Sequence, residues 1–161
     1  MWLRRLPVFL FLTGCVAVSG CNSARVPLAT HAQEELAREF HTHPTKGRVY
    51  CYRVYNHRGE EVVAYSIEVD GQLVTELSVN TFSYFDVSPG THVLSTTPRS
   101  FESPHAIRLK VEPGRIYFVK LESRLDLSSS RVYLMKTDDD VGKRELQECK
   151  MATLINQPFE E

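Results

Sequence analysis

Val62 to Val69 and Gln72 to Leu77 are two strand-like runs separated only by Asp70-Gly71. A two-residue link whose members both tolerate positive φ, set between two such runs, specifies a β-hairpin, because the tight turn it forms matches the natural twist of paired strands. The same alternation of short runs and turn residues recurs along the chain. Arg48 to Tyr55 alternates around Val49 and Cys51 and stops at the turn-rich Asn56 to Gly59. Thr81 to Val87 and Thr91 to Thr97 flank Ser88-Pro89-Gly90, Pro98 to Pro104 reads as a loop, and Ile107 to Val111 leads through Glu112-Pro113-Gly114 into Ile116 to Glu122. Val132 to Lys136 is the last run. In both Pro-Gly units proline presets φ for the first turn position and glycine supplies the left-handed one. The two units stand 24 residues apart. Two copies are too few for a solenoid, so they are expected to be two similar hairpins in one sheet system.

Helical signals flank the strands. Thr30 with Gln33 forms a capping box, and Ala32, Leu36 and Phe40 recur every fourth residue, which predicts a short amphipathic helix over about Ala29 to His41 packed through that stripe and ended by Pro44 and Gly47. Near the other end, Thr137 and three aspartates open a helix to about Lys150, the acidic first turn suiting the positive end of the helix dipole. Gly142 is expected to weaken it. About seven strands with a short helix near each end predict a mainly β fold, an antiparallel β-sandwich or barrel-like domain.

The beginning of the sequence has a different character. Arg4 and Arg5 precede an apolar stretch from Pro7 to Val18 interrupted by Thr13 and Gly14, the layout of an export signal. It is short of the roughly 20 apolar residues that a membrane span needs. The stretch ends on Val18-Ser19-Gly20-Cys21, which resembles the lipobox of bacterial lipoproteins position by position. That resemblance implies cleavage before Cys21 and a lipid on its thiol, so residues 1–20 are a lipoprotein signal peptide, 21–28 an acylated tether and 29–161 a single β-rich domain. A second match, Leu12-Thr13-Gly14-Cys15, leaves only about six apolar residues ahead of it, fewer than the usual 7–15, which favours Cys21 over Cys15. Two or more acyl chains hold a protein stably on a bilayer. Asn22 stands where lipoproteins kept in an inner membrane usually carry aspartate, so the resemblance points to the outer membrane, facing the periplasm.

Removing residues 1–20 takes away Arg4 and Arg5 and no acidic residue, leaving 17 basic against 20 acidic side chains. No basic face for nucleic acid is indicated. Cys51 and Cys149 are then the cysteines left in the domain, an even count in an oxidising compartment, and a disulfide between them is expected to tie the late helical segment to the first strand. The alternative is two separate buried thiols.

Phe40, Arg48-Val49-Tyr50-Cys51-Tyr52-Arg53, Val69-Asp70-Gly71, Val87-Ser88-Pro89-Gly90-Thr91-His92 and Pro113-Gly114-Arg115-Ile116-Tyr117-Phe118, together with the lipobox, resemble the bacterial lipoproteins grouped as the DUF2846 domain family. The likeness covers roughly residues 36 to 150. It implies a lipid-anchored envelope domain with a β-rich fold, and no assigned activity.

No residue set specifies a reaction. His41 and His43, even with His31, fall short of the three or four spaced ligands of a zinc site; His57, His92 and His105 are scattered. Cys51 has no motif that would supply a base, Asp138 to Asp140 lacks the ordered oxygens of an EF-hand, and phosphate loops and Gly-x-Ser-x-Gly elbows are absent. The expectation is therefore a protein that is not an enzyme and needs no cofactor or metal. It would be held to a membrane through Cys21 and bind another envelope protein through exposed strand edges and aromatic faces. The alternative is a small ligand, such as a glycan or peptidoglycan fragment, stacked on Tyr50, Tyr52, Tyr65, Tyr84, Tyr117 and Tyr133, half of which would line one exposed face.

Overall fold

The computed structural model describes residues 26–55, 63–97, 105–126 and 129–158. The export signal, Cys15, Cys21, Asn56 to Gly59 with His57, and the loop Pro98 to Pro104 lie outside them. Along the chain come α1 (His31–Arg38), β1 (Gly47–Arg53), β2 (Tyr65–Val69), β3 (Gln72–Leu77), β4 (Thr81–Val87), β5 (Gly90–Thr96), β6 (His105–Val111), β7 (Ile116–Asp126), β8 (Ser129–Thr137), α2 (Asp139–Leu146) and β9 (Lys150–Met151). One sheet has the order β8-β7-β1-β4-β9 and the other β3-β2-β5-β6. The fold is mainly β and sandwich-like, and it is not a closed barrel. Most pairs are antiparallel, but β1 runs parallel to β7 and β4 parallel to β9.

Side-chain parity on β1 sets the layers. Val49 and Cys51 point between the sheets, where they join Ile67, Val74, Phe85, Leu94, Val119 and Leu134 in the main core. Tyr50 and Tyr52 point the other way, into a second cluster with Ala37, Phe82, Phe118, Leu146 and Cys149 beneath the two helices. Each tyrosine hydroxyl meets one helix: Tyr50 Oη donates to Ala37 O of α1 (2.6 Å) and Tyr52 Oη to Glu145 Oε2 of α2 (2.8 Å). These bonds satisfy polar groups whose burial would otherwise be costly. Burial also pushes the Tyr50 hydroxyl pKa up to about 12.

The parity overturns the expected Cys51–Cys149 disulfide. Both are free, buried thiols. Cys51 belongs to the layer between the sheets and Cys149 to the layer under the helices, so the thickness of the sheet separates them. The Cys149 thiol instead donates to Arg53 O at 3.6 Å.

The Asp70-Gly71 hairpin forms as expected, with φ of 50° and 83° at the two residues and Val69 opposite Gln72. The Pro-Gly units do not close hairpins. Each carries the chain from one sheet to the other, since β4 and β7 both flank β1 while β5 and β6 pair with each other. A Pro-Gly turn has the same local chemistry whether its strands pair or part, and the partners available on either side decide.

The capping box of α1 is present: Gln33 N donates to Thr30 Oγ1 and Thr30 N to Gln33 Oε1. The expected stripe is not the buried face. Leu36 is 59% exposed, and Ala37 is the buried residue of the helix. What docks α1 is polar: Arg38 donates from Nη1 to Leu146 O (2.9 Å) and from Nη2 to Cys149 O (2.6 Å), satisfying carbonyls at and beyond the end of α2. Glu34 accepts from Arg38 (2.9 Å) and from Met151 N (3.1 Å).

Gly142 has the opposite meaning to the one its helix propensity suggests. A Cβ placed there would lie 2.6 Å from the Phe118 Cβ and closer still to the ring. Gly142→Ala should therefore destabilise the domain by about 1–2 kcal/mol, overpacking outweighing the gain in helix propensity. A denaturation midpoint equal to or above that of the parent would contradict this contact.

Candidate functional site

The two outer surfaces of the sandwich differ. The helices and their aromatic underlayer cover the first sheet, whereas no described helix or strand lies over the second. There the polar half of each alternating strand faces outward. Ser66 and Glu68 of β2, Val93 and Ser95 of β5, and Ala106, Arg108 and Lys110 of β6 form a surface whose inward partners, such as Ile67, Leu94 and Leu109, are buried. Register places Glu68 opposite Ser95, Ser95 opposite Ala106, Val93 opposite Arg108 and Thr91 opposite Lys110. Glu68 is tied to its own sheet, accepting from Thr97 Oγ1 (2.9 Å) and Ser95 Oγ (3.4 Å). Val93 adds an apolar side chain 38% exposed. The surface thus offers fixed carboxylate and hydroxyl groups, two exposed cations and one apolar contact.

One end of this surface is knotted by Asp70. Its Oδ1 accepts from Val93 N (2.7 Å), its Oδ2 faces His92 Nδ1 (2.7 Å), and its own N–H donates to Val93 O (2.8 Å). His92 Nε2 faces Ser88 O at 2.8 Å. Two motifs far apart in sequence, Val69-Asp70-Gly71 and Val87-Ser88-Pro89-Gly90-Thr91-His92, therefore meet as one structural unit joining a hairpin to an inter-sheet turn. Burial works against the charged form of Asp70, but the Val93 amide and the His92 ring outweigh it and hold the carboxyl below the usual aspartate range.

The tyrosines expected to share an exposed face do not. Tyr50 and Tyr52 lie under the helices, Tyr65 and Tyr117 are in the core between the sheets, and only Tyr84 and Tyr133 are partly exposed. Tyr84 is itself covered by the Arg48 guanidinium, 4.6 Å from its ring centre. The thiols are unsuited to nucleophilic chemistry: burial pushes Cys51 far up and Cys149 up to about 12, away from the thiolate form that attacks. The histidines are spread over separate structural tasks. His43 Nδ1 accepts from Lys46 N (3.1 Å), His105 Nδ1 accepts from Leu134 N (3.0 Å), and His31 lies by Glu35. Among the described residues no group of three or more His, Cys, Asp or Glu side chains is arranged to hold a metal ion. Asp139 and Asp140 sit in the first turn of α2, where the dipole favours them.

Strand edges, the other expected contact surface, are partly occupied. Ile155 N and Asn156 N both donate to Val74 O of β3, and Thr75 Oγ1 donates to Thr153 O, so the segment after β9 closes that side. Residues before α1 extend the first sheet: Leu28 bridges Ala152, Ala29 N donates to Met151 O and Thr153 N to Pro27 O. Two shallow grooves flank this added edge. One, about 440 Å³, is lined by Val26, Leu28, Val79, Asn80 and Lys150 among others; the second, about 350 Å³, lies between Leu36, Tyr84, Met151 and Leu154. Sequence periodicity missed this edge because residues 26–28 carry no strand pattern of their own. The Glu34–Arg38 spacing was the legible trace of the helix docking.

A family described as protein of unknown function (DUF2846) matches residues 43–133 of the chain. The match takes in both inter-sheet turns, the Asp70 unit and the open face. An uncharacterized protein of Haemophilus influenzae is 23% identical over 135 residues, which cover 84% of this chain and 77% of that one.

Two outcomes follow from the site. Asp70→Asn should cost roughly 1 kcal/mol at neutral pH, a modest figure because the carboxylate is partly exposed. The loss should be full above the unfolded aspartate value of about 4 and fade as pH falls through the lower folded one, since a depressed carboxyl contributes stability only while ionised. Urea titrations of both proteins from neutral to acid pH give the difference, and a pH-independent gap would contradict it. Separately, Cys51 and Cys149 should resist alkylation in the native protein and both react in denaturant without reductant. Failure to react there would restore the disulfide.

Proposed function

The chain belongs to the DUF2846 family, and starting from that membership we propose that it is a lipid-anchored protein of the bacterial cell envelope that works as a non-enzymatic interaction module. Cys21 carries the lipid. With asparagine rather than the inner-membrane aspartate at position 22, the protein resides in the outer membrane, where the domain faces the periplasm and binds another envelope protein. The observation that carries this reading is the asymmetry of the sandwich. In one sheet the outer side of β1, β4, β7 and β9 packs an aromatic layer beneath the two helices, while the other leaves a face of fixed polar groups, Arg108, Lys110 and exposed Val93 with no described element over it. Inert thiols and separately engaged histidines agree with a surface that recognises rather than reacts. A mixed polar face with a small apolar centre is the composition of a non-obligate protein interface. Of the six tyrosines of the glycan-binding alternative, Tyr50, Tyr52, Tyr65 and Tyr117 are buried, so that reading has less support.

Two measurements test the proposal. The intact mass of detergent-extracted protein should correspond to a chain beginning at Cys21 plus acyl groups; an unacylated mass rejects the anchor. A photo-crosslinking residue at Val93 in intact cells should give one discrete adduct with an envelope protein. Arg108→Glu with Lys110→Glu should reduce that adduct by about tenfold, the effect of losing roughly 1.4 kcal/mol of charge complementarity at an interface. No adduct from Val93, or an adduct indifferent to both reversals, rejects the open face as the contact.

A further inference from the structure

We infer that the added edge formed by residues 26–29 is the face the domain turns to the bilayer, with Leu28 and Leu36 in contact with the lipid surface. This rests on the reading of Cys21 as the acylated residue. Val26 is already part of the domain, 8% exposed and packed into the main core. Pro27, Leu28 and Ala29 are tied by backbone hydrogen bonds to the segment at β9. Only four residues separate Cys21 from Val26, and the five steps of chain between them reach at most about 18 Å fully extended. The lipid must therefore enter the membrane close to this edge, and the domain has little freedom to present another side.

The composition of the edge agrees with that geometry. Leu28 is 57% exposed and Leu36 59%, the two most exposed large apolar side chains among the described residues. Each lines one of the two grooves flanking the edge. Lys150, in the same groove as Leu28, is 71% exposed, and a long cationic side chain beside apolar ones suits the headgroup level of a bilayer. No described helix is long and apolar enough to cross a membrane, so the contact is one of resting on the surface. The Leu28 groove is lined by Thr81 at the start of β4 and the Leu36 groove by Tyr84 in the middle of that strand, whereas Glu112 lies at the Val87 end of the strands, where Gly47 pairs with Val87 and Val111 with Gly90. A seven-residue strand separates the two ends by about 20 Å.

The sequence supplies a clean reporter. Its single tryptophan is Trp2, which leaves with the signal segment. Acylated, mature protein carrying Leu28→Trp, Leu36→Trp or Glu112→Trp is reconstituted in phospholipid vesicles with brominated acyl chains, after its mass has been checked. The reporters at 28 and 36 should lose roughly half their fluorescence, being buried about 5–10 Å at the headgroup and acyl boundary, while the one at 112 keeps nearly all of it. Two exposed positions guard against one substitution disturbing the fold. Acylated protein in which 28 and 36 are quenched no more than 112 overturns the orientation and leaves the anchor standing. Protein without acyl mass overturns the anchor itself, and with it this inference.

Discussion

A strand buried on both faces governs this structure. β1 lies between β4 and β7, so its hydrogen bonds are complete on both edges, and its side chains must fill two different layers at once. Val49 and Cys51 go to the space between the sheets, and Tyr50 and Tyr52 to the space under the helices. A tyrosine in a buried layer needs a partner for its hydroxyl. Tyr50 finds one in α1 and Tyr52 in α2, so two neighbouring outward positions on one strand place both helices. Lys120 of β7 reinforces the second attachment through Glu145 at 2.8 Å.

The helices are joined to each other by Arg38, which reaches carbonyls at the end of α2 and just beyond it, with Glu34 completing the link to Met151. Each of these groups is partly buried, and burial raises the cost of leaving it unpaired. That polar joint explains why a helix with so little apolar contact is still part of the fold, and why Leu36 can remain outside. It also fixes the segment before α1 against β9. The consequence is a domain with three distinct surfaces: a helical back, an open polar sheet, and an apolar-edged margin where the chain from Cys21 arrives.

Legibility in the sequence followed the range of the interaction. The Asp70-Gly71 hairpin, the Thr30–Gln33 cap and the positions of most strands were readable because each depends on residues a few positions apart. The Pro-Gly turns are visible in the sequence but their role is not, since whether the flanking strands pair depends on β1, far away in sequence. Helix propensity at Gly142 is a local quantity, but what this position answers to is the ring of Phe118. The disulfide expectation counted cysteines without knowing on which side of the sheet each would fall. Of the candidate site, the alternating polar residues of β2 and β5 were visible as a pattern; the absence of a covering element over them, among the described residues, was not.

By itself the sequence determined the β class, the succession of strands and turns, the flanking helices and a beginning that resembles a lipoprotein signal, because hydrophobic period, turn chemistry and short motifs act within a few residues. The tertiary structure alone decided which strands share a sheet, which face of each sheet is covered, that Cys51 and Cys149 stand on opposite sides of β1, and that residues 26–29 extend the sheet at its margin. Those outcomes turn on parity and pairing between distant segments. A one-residue change of register reverses every side chain of a strand, so they are fixed only when the whole set of strands is assembled.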